Sequence, residues 1–128
     1  MPALPWKSFA TPEGDGEYLA LLSHLPLNKF SAMPKFFRYT RQIQRQLVDS
    51  EGLIGYSLEA NIPGKQFWTL SVWEDEEHLR RFVQQIPHSR IMTDLLPDMA
   101  QTKFFSWNLP GSSVPPNWEE AKQRMRER

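Results

Sequence analysis

Two alternating runs joined by a proline–glycine turn constrain this chain more than any other feature. In "LIGYSLEANIPGKQFWTLSVW", residues 53–73, Pro63 presets φ and Gly64 is expected to supply a positive φ, so the segment reads as a β-hairpin. Along the second strand Trp68, Leu70 and Val72 share one face, and Phe67, Thr69, Ser71 and Trp73 share the other. The first face reads as the helix-covered core. The second is mixed, with Gly55, Ser57 and Glu59 expected across the hairpin, which is too polar for a deep core and too aromatic to be left bare.

The flanks set the topology. "EYLALLSHL", residues 17–25, alternates Leu19, Leu21 and Leu25 against Tyr18, Ala20, Leu22 and His24, a strand with two largely apolar faces. "SAMPKFFRYTRQIQRQLVDSEG" then switches period: Phe36, Tyr39 or Thr40, Ile43 and Leu47 recur at helical spacing, with Pro34 in the first turn and a stop at Gly52. "EDEEHLRRFVQQI" carries Leu79, Phe82, Val83 and Ile86 on one stripe after four acidic residues that suit a helix N-terminus. Pro87 predicts a break at Ile86 before "HSRIMTDLL" resumes with Ile91, Met92, Leu95 and Leu96. "AQTKFFSWNL" is a last strand, and the tail ends in a short basic helix with Asn117 and Glu120 placed as a cap and its reciprocal partner.

The order strand, helix, strand, strand, helix, strand is the split βαβ pattern of an α+β ferredoxin-like fold, a four-stranded antiparallel sheet with both helices on one face. The domain spans 17–109, with an irregular arm over 1–16, pinned by Trp6 and Phe9, and a loop and short helix over 110–128. The bare face calls for a partner sheet or a ligand. Two such sheets face to face make a dimeric α/β barrel, so a homodimer is expected, with the last helix docked on the partner through Trp118, Ala121 and Met125.

Composition removes several function classes. Fifteen basic and fifteen acidic side chains give no net charge, which argues against nucleic acid and anionic membrane surfaces as partners. The absence of cysteine excludes disulfides, thiolate nucleophiles and cysteine-ligated metals. With neither a secretory leader pattern nor an apolar run long enough to span a bilayer, the chain reads as soluble and cytoplasmic. Phosphate-loop, dinucleotide and Ser/His/Asp motifs are absent, leaving hydrolase and kinase chemistry without support.

One segment carries a resemblance. "FWTLSVWEDEEHLRRFVQQIPHSRIM", with its Ser-Val-Trp strand end, acidic helix start, Phe82, and a histidine 15 residues past Trp73, resembles the antibiotic biosynthesis monooxygenase-like families of the dimeric α/β barrel superfamily, as does "VDSEGLIGYSL" before it. The resemblance covers roughly residues 17–109. It implies a cavity between helices and sheet that binds a small hydrophobic or aromatic molecule, and a cofactor-independent monooxygenase as the specific activity.

The residues that would carry this chemistry are few. His88, after the helix break, suits a general base or an iron ligand, and with His24 and Tyr39 it would form a polar trio for deprotonating a phenol. Trp73, Phe82 and Met92 would line the substrate space. The bland alternatives are a histidine packed at a kink and tryptophans that are simply core. Haem-degrading members of the superfamily place an iron-binding histidine where counting from Trp73 finds Phe82 and Met92, so a haem protein would have to use His88 differently. Glu74 and His78 have chelating spacing but no third ligand, so no metal is expected; Arg38, Arg41 and Arg45 read as a solvated helix face. The rival function is a non-catalytic binding or dimerisation barrel.

Overall fold

The hairpin forms where the alternation places it, in a computed structural model that describes residues 5–84 and 88–127. In chain order the elements are β1 (Lys7–Ser8), β2 (Glu17–His24), α1 (Met33–Val48), β3 (Leu53–Asn61), β4 (Gln66–Trp73), α2 (Glu76–Gln84), α3 (His88–Leu95), β5 (Lys103–Pro110) and α4 (Trp118–Arg126). The core is the ferredoxin-like α+β arrangement, extended by β1 from the N-terminal arm into a five-stranded sheet of order β1-β3-β4-β2-β5. All neighbouring strands are antiparallel. The expected break at Ile86 and Pro87 lies outside the described residues, as do the side chains of His88 and Met92 within α3.

The turn between β3 and β4 uses a different left-handed residue from the one expected. Lys65, not Gly64, adopts positive φ, at 57°, and its amide donates to the Ile62 carbonyl at 3.0 Å. Partners remote in sequence stabilise this lysine: its carbonyl accepts from the Leu27 amide at 2.9 Å, and its ammonium lies 4.8 Å from the centre of the Phe30 ring. Asn61 supplies the turn's side-chain bond, accepting from the Gly64 amide at 3.2 Å.

The two sheet faces are exchanged relative to the sequence expectation. Phe67 and Trp73 pack under α1, α2 and α3, with Phe36, Ile91 and Leu95 around Phe67 and Leu47 and Phe82 around Trp73. Trp68, Leu70 and Val72 point the other way, and Gly55, Ser57 and Glu59 pair with that set in register. A bulge between Leu53 and Gly55 lets Leu53 and Tyr56 share the helix side while Ile54 joins Val72 on the far side. Neither face is bare. The far face is covered by the chain's own α4 and by Trp6, whose indole lies so close over Gly55 that a Cβ there would overlap it. The start of β5 stays open to solvent: Phe104, across from Ser23, is 54% exposed.

Charge ties the ends of the helix layer together. The buried Asp98 side chain, in the turn after α3, pairs with Lys35 of α1 at 3.1 Å and with Lys29 ahead of it at 3.2 Å. The Lys35 hydrogen bond, followed by that of Lys29, holds this carboxyl below its ordinary value. A depressed carboxylate stabilises the fold fully above the unfolded value near 4 and loses that contribution as pH falls through the lower folded value. Asp98→Asn is therefore expected to lower stability at neutral pH and to flatten the pH dependence below about pH 4, read from urea unfolding at stepped pH. An unchanged acid limb would show that the two lysine pairs contribute nothing to folding.

Candidate functional site

α1 ends at Val48 with Asp49 as its C-cap, and the chain then turns into β3 at Gly52, whose φ of 82° is a left-handed conformation that favours glycine. The Gly52 carbonyl accepts from the Glu74 amide at 2.7 Å, joining this turn to the start of the segment that leads into α2. A side chain at Gly52 would strike the imidazole of His78, so glycine is required twice over.

At the N-terminus of α2, Asp75 Oδ1 accepts from the His78 amide at 2.9 Å and from His78 Nδ1 at 2.7 Å. The His78 backbone N–H, and then its imidazole, hold the Asp75 carboxyl below its usual range. An ionised carboxylate only accepts, so Nδ1 carries the hydrogen and a neutral His78 presents Nε2 as an acceptor. His78 lines a groove of about 300 Å³ with Asp49, Ser50, Glu51, Arg81 and Phe82. Arg81 is ion-paired with Glu77 at 3.1 Å.

Phe82 is the inner wall of this groove and belongs to the aromatic layer behind it. Its ring centre lies 5.2 Å from that of Trp73, which is 1% exposed and donates Nε1 to Ser71 Oγ at 2.9 Å. Tyr56 packs in the same cluster, 3% exposed, and its hydroxyl has no hydrogen-bond partner among the described residues. A buried hydroxyl left unpaired costs on the order of 1–3 kcal/mol, which makes it a place where a ligand oxygen would be welcome.

Of the residues singled out in the sequence, Trp73 and Phe82 meet, whereas His24 and Tyr39 do not. His24 lies on the far face, its ring stacked 4.0 Å from Trp68 and its Nε2 hydrogen-bonded to Gln66 Oε1. Tyr39 is on the helix side and donates to Asp94 of α3 at 3.1 Å. With the sheet between them, His24 and Tyr39 do not converge. His88 is the first residue of α3 and Met92 lies one turn on; their side chains are outside the described set. His78 is engaged by Asp75, not Glu74, and no group of three or more His, Cys, Asp or Glu suited to a metal occurs among the described residues. Phe82 offers iron no donor, so it cannot serve as the ligand of the haem-degrading pattern. Arg38, Arg41 and Arg45 are exposed along α1.

Sequence reading passed over Tyr56 and the Asp75–His78 pair. An aspartate three residues before a histidine at a helix start was the available signal for the pair. Tyr56 gave none, since its neighbours come from three separate elements.

Residues 35–127 match a family described as "Domain of unknown function (DUF3291)". No curated protein matches the chain in sequence. Among solved structures the fold resembles SnoaB, a cofactor-independent oxygenase from Streptomyces nogalater, with a TM-score of 0.63 and 13% identity over 80% of this chain and 100% of that one. It also resembles an antibiotic biosynthesis monooxygenase (TM-score 0.61, 13% identity, 71% of this chain and 95% of that one). A conserved protein of unknown function from Bacteroides thetaiotaomicron is similar too, with a TM-score of 0.63 and 14% identity over 73% and 99% of the two chains. These neighbours show a shared fold. Among the described residues no helix is long and apolar enough to cross a membrane.

The double demand on Gly52 is open to test. Gly52→Ala should destabilise the fold by about 1–3 kcal/mol and shift the His78 ring protons in NMR spectra, because both backbone and imidazole must move. A variant of normal stability with unmoved His78 resonances would contradict this turn geometry.

Proposed function

Because the chain belongs to the DUF3291 family and shares the antibiotic biosynthesis monooxygenase-like fold, we propose that it binds a small phenolic or other aromatic molecule where the groove meets the aromatic layer, and oxygenates it without metal or flavin. The observation that carries this reading is the buried, unpaired Tyr56 hydroxyl in the same cluster as Phe82 and Trp73, with an imidazole oriented by a carboxylate at the groove outside. In this reading Phe82 turns aside, the ligand's ring takes its place against Trp73, and Tyr56 donates to a ligand oxygen. His78 Nε2 takes the phenolic proton, and dioxygen is the oxidant. Phenolate gives one electron to dioxygen, the radicals join through a C–O bond para to the phenolic oxygen, and loss of water breaks the O–O bond. The net change is phenol plus O₂ to para-quinone plus water.

The rival reading is a binding protein without turnover. It is favoured by the other end of the helix layer, where the chain's own Phe36, Phe67, Ile91 and Leu95 pack together.

Oxygen uptake with a panel of phenols and naphthols separates the two. The proposal expects one O₂ consumed per phenol, with His78→Gln lowering kcat by about 10²-fold or more. Tyr56→Phe should leave folding stability unchanged or raised, since it removes an unpaired buried group, while weakening ligand binding. Binding without oxygen uptake would support the rival; turnover that survives both substitutions would remove this site from the chemistry.

A further inference from the structure

The C-terminal helix does something the ferredoxin-like pattern does not require. Ala121 at its centre is completely buried, together with Leu22 and Leu70, which face each other across β2 and β4. Trp118, three residues before Ala121, and Met125, four after, pack on the same patch, the spacing of one helix face. Lys122 reaches over β4 to β3: its ammonium lies 4.7 Å from the Trp68 ring centre and forms an ion pair with Glu59. Arg124 reaches the other way, its guanidinium 5.5 Å from the ring centre of Trp107 on β5. The helix thus makes contact with all four core strands. Its start is fixed by Asn117 Oδ1, which accepts from the Glu120 amide at 3.0 Å.

A second sheet packing on this face would lie about 10 Å away, the thickness that a helix with its side chains fills. The two covers are mutually exclusive. We infer that α4 is the intramolecular substitute for a partner sheet: it closes the far face in cis and bars a second copy of this chain from pairing sheet to sheet across Leu22 and Leu70. The homodimeric barrel drawn from the sequence, with this helix on the partner, is the alternative.

The absence of cysteine makes the test clean. In the full chain carrying both Glu59→Cys and Lys122→Cys, a short bis-maleimide should give a product of one-chain mass whose yield is unchanged over a roughly 10³-fold dilution. An equimolar mixture of the two single variants, refolded together from denaturant, should give no two-chain product. A two-chain product in that mixture would overturn the inference. Since these substitutions remove the ion pair, the unsubstituted protein supplies a second measurement. In a mixture of isotope-labelled and unlabelled chains, contacts from the Ala121 methyl to the Leu22 and Leu70 methyls should be seen only within a chain; the same contacts between chains would overturn the inference as well.

Discussion

The structure depends on a central strand pair that is buried on both faces. Along β2 and β4 the far side holds Ala20, Leu22, Leu70 and Val72, all inaccessible to solvent, while the near side holds Phe67 and Trp73. Fully burying one large apolar side chain contributes about 1.5–3 kcal/mol, so leaving either face wet would forfeit several such contributions in a domain of ordinary marginal stability. Two covers are therefore needed. One is the layer of α1, α2 and α3; the other is α4 with the Trp6 indole.

The site follows from how the first cover is attached. Where α1 passes into β3 and β4 into α2, the two connections meet at Gly52, with the bond from Glu74 and the imidazole of His78 against it. This junction leaves a polar groove outside and aromatic rings inside, with Phe82 between them. At the opposite end of the layer large side chains from α1, α3 and β4 meet.

Element order and type were legible because the period changes from two to 3.6 and back along the chain. Which strand face the helices cover was not, since a period-two pattern divides residues into two sets without assigning either set a side. Trp68, Leu70 and Val72 formed the more apolar set and were given to the helices; in the structure they serve α4, whose Ala121 needs a flat aliphatic seat. That exchange carried His24 to the far side and separated it from Tyr39. The turn misreading at Gly64 is of another kind, because Lys65 takes up the left-handed conformation with help from Leu27 and Phe30, residues remote in sequence. Tyr56 was invisible for the same reason: its lack of a partner depends on elements that only the fold brings together.

The five tryptophans are divided unequally between the two layers. Trp6, Trp68, Trp107 and Trp118 belong to the far side with α4, and Trp73 alone to the helix layer. The intrinsic fluorescence of the protein is thus two reporters in one spectrum: a dominant signal from four indoles that senses whether α4 is seated, and a minor, deeply shielded one beside Phe82. Loosening of α4 would redden most of the emission, whereas a molecule lodging against Trp73 would quench a small blue-shifted fraction and leave the rest unaltered.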